Sequence, residues 1–254
     1  MDMARIIVVG GTGLIGSKVV DKLKAHGHDA VAAAPSTGVN TITGEGVEAA
    51  LAGADVVVDV SNSPSFEQQA VLGFFTTSTT NLLNAEKAAG VGHHVALTIV
   101  GTNRPQEIPY FAAKMAQELL IRESGVPYSL VHATQFFEFL GSIADISVVG
   151  DEVRLPGALC QPIAAEDVAT GVAQTAAGDP VNGDLEIAGP ERFGLDEWIR
   201  RGLAFRNDPR PVVRDDTAPY YGAVIDETTL IPLDGARIFA TTLEEWLPAN
   251  PPRR

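Results

Sequence analysis

Short runs of β-branched and other apolar residues alternate with longer segments of helical spacing through the first half of the chain. The runs predict strands over residues 6–9, 30–34, 55–60, 94–100 and 128–132. The segments between them predict helices over residues 14–23, 47–51, 67–90 and 109–124, and an abbreviated further strand is expected at residues 40–43. Such alternation is typical of βαβ units, which form a parallel sheet with right-handed crossovers.

The pattern changes after about residue 133, where proline and glycine become more frequent. Isolated strands are expected at residues 152–155 and 185–188, and helices at residues 166–176 and 195–204. The predicted fold is therefore α/β, a Rossmann-type doubly wound parallel sheet in residues 1–133 with a small C-terminal lobe in residues 134–254. A segment near residues 161–188 is expected to return to the sheet.

A glycine-rich loop joins the first predicted strand to the first predicted helix, where residues 5–20 read RIIVVGGTGLIGSKVV. Two templates fit it, G-x-G-x-x-G from Gly11 and G-x-x-G-x-x-G from Gly10. The first glycine permits a tight turn, Gly13 lets the backbone approach a pyrophosphate, and Gly16 lets the helix pack closely on the strand. Phosphates would then face the positive end of a helix. The pattern predicts a dinucleotide site that includes every residue of the loop: Gly10, Gly11, Thr12, Gly13, Leu14, Ile15 and Gly16.

The end of the second predicted strand bears on the choice of dinucleotide. NAD-binding proteins carry an acidic residue about 20 residues past the glycines, which binds the ribose hydroxyls. Here the chain reads Ala-Pro-Ser-Thr-Gly at residues 34–38, with no carboxylate to repel a 2′-phosphate. Ser36 and Thr37 offer hydroxyl donors, although no arginine stands beside them. This favours NADP(H) over NAD(H).

Tyr110 and Lys114, in the sequence YFAAK, are spaced to project from one face of a predicted helix. A nearby ammonium lowers the pKa of a tyrosine hydroxyl because it favours the phenolate. Tyr110 could then give a proton to a carbonyl oxygen, while Lys114 also binds the nicotinamide ribose.

Composition and charge bear on which partners the protein can bind and on where in the cell it is found. The chain has 254 residues, a net charge of −14 and no basic cluster within its body, which argues against a nucleic-acid partner. No apolar stretch reaches the roughly 20 residues of a membrane span, and we expect neither a membrane partner nor a signal peptide. Cys160 is the only cysteine, which suits a cytoplasmic location, and we expect it in the core. His93 and His94 lack further ligand types nearby, so no metal site is expected.

With the glycine loop, Tyr110 and Lys114 in this order, the chain resembles the short-chain dehydrogenase/reductase superfamily. More narrowly, it resembles the atypical, NmrA-like NAD(P)-binding branch. The resemblance covers most of the chain and rests on six segments, residues 10–16 (GGTGLIG), 96–102 (ALTIVGT), 110–118 (YFAAKMAQE), 131–140 (VHATQFFEFL), 161–168 (QPIAAEDV) and 187–191 (IAGPE).

The resemblance implies roles for further residues. Thr98 takes the place of the family's catalytic serine, with Thr102 as an alternative. An arginine common in the family is replaced by His132, to which we assign a structural role. Cofactor contacts are implied for residues on two loops, Ser61, Asn62, Ser63, Thr134 and Gln135. An apolar substrate cleft in the C-terminal lobe is implied by Phe136, Phe137 and Phe139, for which core packing is the alternative.

These expectations describe an NADPH-dependent reductase that transfers hydride to a carbonyl or quinone of an apolar, aromatic small molecule, with Tyr110 as proton donor. Because some members of the family lack the tyrosine, the alternative is a non-catalytic NADP(H) sensor that acts through a protein partner. Sugar-nucleotide epimerase chemistry is a third reading, disfavoured by the short chain. The oligomeric state is left open, with a homo-oligomer among the alternatives.

Overall fold

A computed structural model describes residues 3–104 and 107–251 of the chain. The strands are β1 Arg5–Val9, β2 Asp29–Ala33, β3 Val56–Asp59, β4 His93–Ile99, β5 Tyr128–Ala133, β6 Val148–Val149, β7 Glu152–Leu155, β8 Leu159–Cys160, β9 Gly183–Ala188, β10 Phe193–Gly194, β11 Val212–Arg214 and β12 Arg237–Ile238. The helices are α1 Gly16–Ala25, α2 Val47–Leu51, α3 Gln68–Ala89, α4 Pro109–Glu123, α5 Leu140–Ile146, α6 Ala165–Ala176, α7 Leu195–Phe205 and α8 Leu243–Ala249.

Seven of these strands form one parallel sheet in the order β12-β9-β5-β4-β3-β1-β2. Strand β1 lies between β2 and β3, and Ile7 is aligned with Val31 on one side and Val57 on the other. Ile6, Ile7 and Val8 are fully buried, which explains why β1 is a continuous apolar run and not an alternating one. The predicted Rossmann-type α/β fold is confirmed.

The short strand expected at residues 40–43 was a wrong prediction, because this segment forms a turn. The Asn40 side-chain oxygen accepts hydrogen bonds from the backbone N–H groups of Ile42 (2.9 Å) and Thr43 (3.3 Å). Asparagine competes in this way for backbone groups that a sheet would otherwise use.

The chain divides into two compact units. The first comprises the described parts of residues 1–98, 109–132 and 168–185. Its core includes a cluster of Val71, Phe75 and Ala113, against which Phe74 and Tyr110 pack. This cluster joins α3 to α4 directly beneath the predicted catalytic tyrosine.

The second unit comprises the described parts of residues 99–108, 133–167 and 186–254. It contains an antiparallel pair of β8 with β10 and a three-stranded sheet in the order β11-β7-β6. Its core holds Phe137, whose ring centroid lies 6.4 Å from that of Trp198 and 5.4 Å from that of Trp246. The Trp246 indole N–H donates to Glu138 (3.1 Å), so its polar atom is satisfied inside the packed cluster.

Candidate active site

The glycine loop folds back on itself between β1 and α1. Gly10 has φ +77°, a left-handed conformation that favours glycine, and a Cβ at this position would lie 2.9 Å from the Ser61 backbone. A Cβ on Gly11 would lie 2.6 Å from the Val8 carbonyl oxygen, and one on Gly16 would lie 2.2 Å from that of Gly10. Both candidate first glycines are therefore sterically required, so the loop satisfies the two sequence templates at once.

The positive end of α1 suits an anion. The helix begins at Gly16 after Ile15, which makes no side-chain capping bond, and its first turn contains no acidic residue. A Cβ on Gly13 would meet only the Gly10 carbonyl oxygen, at 3.3 Å, so the loop surface at Gly13 has room for a close neighbour. The loop and helix thus fit the pyrophosphate of a dinucleotide, in the arrangement that such loops use elsewhere.

Tyr110 lies in the first turn of α4, directly after Pro109, a favoured residue at a helix start. Its hydroxyl donates to the side-chain oxygen of Asn62 (2.8 Å), in the loop after β3. Its ring contacts two phenylalanines, with centroid distances of 5.6 Å to Phe66 and 5.7 Å to Phe75. The tyrosine is therefore fixed both at its hydroxyl and at its ring.

Lys114 is buried one helical turn further on, with 2% of its surface exposed. Its ammonium donates to the Leu97 carbonyl oxygen (2.8 Å) and to the side-chain oxygen of Gln117. It also lies 4.4 Å from the centroid of the Phe75 ring. Burial lowers the pKa of Lys114 to about 8, and the nearby carboxylate of Asp59 acts in the opposite direction. The predicted influence of this lysine on the acidity of Tyr110 stays a prediction.

Asp59, the last residue of β3, is almost fully buried and uses both carboxylate oxygens. One accepts from the backbone N–H (2.9 Å) and the hydroxyl (2.6 Å) of Ser61, and the other accepts from the side-chain N–H of Gln117 (2.9 Å). Asp59 thus connects the loop that contains Asn62 to the side chain that contacts Lys114.

Thr98 is buried near the end of β4, and its hydroxyl donates to the Glu118 carboxylate (2.6 Å). The same Glu118 oxygen lies 3.1 Å from Nε2 of His132. His132 is itself buried, and its structural role stays a prediction. Because the Thr98 proton is donated to Glu118, the Thr98 hydroxyl can only accept a hydrogen bond from any other partner. The alternative residue, Thr102, is also buried and belongs to the second unit.

Ser36 and Thr37 lie on an exposed 3₁₀ turn, Pro35–Thr37, directly after β2. The Thr37 hydroxyl accepts from the Ala34 N–H (2.9 Å) and donates to the Ala34 carbonyl oxygen (3.0 Å), so it stabilises the turn. Ser63 is buried and donates to the Ser65 carbonyl oxygen (2.7 Å).

The remaining predicted residues belong to the second unit. Thr134 donates through its hydroxyl to the Gln161 carbonyl oxygen (2.6 Å). Gln135 is buried, and its side-chain oxygen has no hydrogen-bond partner among the described residues. Phe137 is fully buried, whereas Phe139 is 42% exposed and stacks on Phe136 with a centroid distance of 5.2 Å.

Cys160 is fully buried, and burial raises the pKa of its thiol, which suits the core position expected for it. In the described ranges, no group of three or more histidine, cysteine, aspartate or glutamate residues could hold a metal ion. Within the same ranges, no helix is long and apolar enough to cross a membrane.

Sequence reasoning missed Asp59, Gln117 and Glu118. Two signals were available. Asp59 closes an apolar strand at the edge where ligands bind in parallel sheets. Gln117 and Glu118 follow Lys114 by three and four residues, which places their side chains near it on the helix surface.

The chain matches the family described as NAD(P)H-binding over residues 10–179 and belongs to that family. The predicted resemblance to an NAD(P)-binding family is confirmed at this level, and the fold is that of an NAD(P)-binding oxidoreductase family.

The chain is similar to two curated relatives in sequence and to one solved structure in fold. It is 27% identical over 223 residues to divinyl chlorophyllide a 8-vinyl-reductase of Cucumis sativus, covering 73% of this chain and 52% of that protein. It is 23% identical over 150 residues to photosystem II assembly factor Ycf39 of a Synechocystis strain, covering 54% of this chain and 46% of that protein. The chain therefore spans about half the length of these relatives. The structure of dTDP-4-dehydrorhamnose reductase from Bacillus anthracis in complex with NADP shares the fold, with a TM-score of 0.70, 13% identity and 95% coverage of both chains.

Proposed function

We propose that the protein is an NADPH-dependent reductase of a carbonyl or quinone on an apolar, aromatic small molecule. The observation that carries this proposal is the fixed Tyr110 hydroxyl, which bonds Asn62 one helical turn before the buried Lys114. A positioned hydroxyl in an NAD(P)H-binding chain supports the proposal, because carbonyl reduction needs a proton donor beside the substrate oxygen.

In the proposed reaction, the substrate oxygen replaces Asn62 as the acceptor of the Tyr110 hydroxyl, which then gives its proton to that oxygen. NADPH, when bound, would supply a hydride to the carbonyl carbon, so that the C=O bond becomes C–OH. The phenolate left on Tyr110 then recovers a proton from water. Asn62 orients the hydroxyl, and the positive charge of Lys114 one turn away favours the phenolate. The glycine loop would hold the pyrophosphate against the start of α1.

The substrate class follows from the surroundings of Tyr110. Phe66 is 57% exposed and lies beside the Tyr110 ring at a tilt of 41°. An exposed aromatic face next to a proton donor favours a flat apolar substrate over a phosphorylated one. Of the three phenylalanines expected to line a substrate cleft, Phe137 is part of the core of the second unit, and only Phe136 and Phe139 leave apolar surface exposed.

The proposed preference for NADP(H) rests on the turn after β2. Residues 34–38 contain no carboxylate, and Ser36 is exposed on that turn. The Thr37 hydroxyl already has two partners within the turn, so we assign the 2′-phosphate contact chiefly to Ser36.

The decisive variant is Tyr110→Phe, which removes only the hydroxyl. With NADPH and a panel of quinones and aromatic ketones, we expect turnover to fall by about 10²- to 10⁴-fold while the NADPH dissociation constant stays the same. Tyr128→Phe is the matched control, because it removes a hydroxyl at the start of β5. Unchanged turnover in Tyr110→Phe would overturn the mechanism.

A second candidate is a non-catalytic NADP(H) sensor that binds a protein partner. The commitment of the Thr98 proton to Glu118 favours it, because both groups are buried and that hydroxyl cannot donate to a substrate oxygen while the bond is made, whereas the bond from Tyr110 to Asn62 lies at the surface. The likeness to a relative named as an assembly factor points the same way. This candidate predicts cofactor binding without turnover, and a partner affinity that differs between NADP and NADPH.

A further inference from the structure

Asp59 is placed to act on both predicted catalytic side chains without touching either. One of its carboxylate oxygens accepts from Ser61, whose neighbour Asn62 accepts from the Tyr110 hydroxyl. The other accepts from Gln117, whose side-chain oxygen accepts from the Lys114 ammonium. All of these contacts lie within the first unit.

Along the hydrogen bonds from Asp59 through Gln117 to Lys114, the donors and acceptors allow only one orientation of the Gln117 amide. A carboxylate accepts only, and an ammonium donates only. Gln117 lies between the two, so its N–H group must face Asp59 and its oxygen must face Lys114. The Gln117 amide therefore links the Asp59 carboxylate to the Lys114 ammonium and holds the two groups in a fixed arrangement. Asp59, Lys114 and Gln117 are each at most 2% exposed, so water does not compete for these bonds.

We propose that Asp59 is the positioning residue of this site, holding the Lys114 ammonium through Gln117 and the Asn62 loop through Ser61. The proposal deepens the proposed function and rests on it for the catalytic roles of Tyr110 and Lys114. It assigns to Asp59 the larger of two charges that offset the burial of Lys114, the other being that of Glu118. It also explains why a carboxylate closes the otherwise apolar strand β3.

The test uses Asp59→Asn, which keeps the shape and removes the charge. Whichever way the new amide turns, two donors face each other, at Ser61 or at Gln117. If Gln117 turns to relieve this, its N–H group faces the Lys114 ammonium. Adding Gln117→Glu removes the conflict, because the new carboxylate accepts from both residue 59 and Lys114. The double variant therefore restores each contact and the original net charge.

Two readouts separate this proposal from the proposed function. The first is the pKa of Lys114 in the cofactor-free protein, measured by NMR on lysine labelled with ¹³C at Cε and assigned with Lys114→Met. The chain has only five lysines, so the spectrum is simple. The second readout is kcat/KM with NADPH against pH.

We expect Asp59→Asn to lower the pKa of Lys114 and to reduce kcat/KM by about 10- to 100-fold. The double variant should return both quantities toward wild type. Asp55→Asn, which changes the carboxylate just before β3, should alter neither. If Asp59→Asn fails to fold, Gln117→Leu replaces it, because it breaks the same link while keeping Asp59.

An unchanged Lys114 pKa in Asp59→Asn, or in Gln117→Leu where that variant replaces it, would overturn the proposal. Failure of the double variant to restore the pKa would also overturn it. A shifted and restored pKa in a protein without turnover would leave the positioning role intact and count against the reductase function alone.

Discussion

The buried pair of Glu86 on α3 and His94 on β4 permits a specific prediction about stability. Both side chains are fully buried, and Nδ1 of His94 lies 2.8 Å from the Glu86 carboxylate. Burial of the ring opposes its protonation, but the charge and hydrogen bond of Glu86 outweigh this effect, so the pKa of His94 is raised. Removing Glu86 would leave a buried imidazole without its partner.

The perturbation is Glu86→Leu, which keeps a similar volume and removes the carboxylate. Removing one partner of a buried pair costs about 3–5 kcal/mol. For a chain of this size each kcal/mol lowers Tm by about 2–4 °C, so we expect a decrease of about 6–20 °C. Glu86→Gln keeps an oxygen that can accept from the neutral ring, and its loss should be smaller.

The pH dependence carries the sharper test. Because the pKa of His94 is raised by folding, its contribution to stability is fully present below the unfolded value of about 6.5 and is lost as the pH rises through the folded value. Glu86→Gln lacks most of this contribution. The difference in unfolding free energy between wild type and Glu86→Gln should therefore be larger at about pH 6.5 than at about pH 9, measured by urea denaturation.

The neighbouring His93 supplies the control. Burial, and then the nearby His94, lower the pKa of His93 to about 4, so its ring is neutral at both pH values. His93→Gln should cost stability by an amount that changes little between them. A Glu86→Gln difference that is equal at the two pH values would refute the account of the pair, as would a cost below about 1 kcal/mol for Glu86→Leu.

Two further predictions concern the cofactor half. Gly16→Ala should abolish NADPH binding and lower Tm, because the added methyl would lie 2.2 Å from the Gly10 carbonyl oxygen. Gly73→Ala, on the open face of α3, is the control and should raise the free energy of unfolding by about 0.5–1 kcal/mol. Calorimetry and cofactor titration check both variants, and a normally binding Gly16→Ala protein would contradict the loop geometry. Ser36→Asp should weaken NADPH binding at least about tenfold and leave NADH binding little changed, since a carboxylate repels a 2′-phosphate. Equal losses for the two cofactors would argue against the proposed contact.

The fold could be predicted from sequence because the central strands β1, β3, β4 and β5 are buried on both faces. Such strands are short continuous apolar runs, and the helices between them show the spacing of one packed face, as in α1, which buries Val19, Val20 and Leu23. The error at residues 40–43 has a local cause. There the Asn40 side chain bonds the following backbone N–H groups, and the segment turns instead of extending.

The candidate site could be predicted only in part. The spacing of Tyr110 and Lys114 identified the two side chains, because helix geometry fixes which residues share a face. The residues that hydrogen-bond to the site could not be predicted from spacing in the same way. Gln117 meets Asp59 across 58 residues of sequence, and Tyr110 meets Asn62 across 48, so only the folded sheet brings them together. The direction of the Thr98 proton likewise depends on Glu118, a residue on another element.

The central claim is that this NAD(P)H-binding chain transfers a hydride to a carbonyl or quinone. It is tested most directly with NADPH that carries deuterium at the transferable position of the nicotinamide, incubated with the purified protein and a panel of quinones and aromatic ketones. We predict that NADPH is oxidised only when an acceptor is added, and that the alcohols formed from the ketones carry the deuterium on the former carbonyl carbon. Saturable NADPH binding with no oxidation by any acceptor would contradict the claim and favour the sensor.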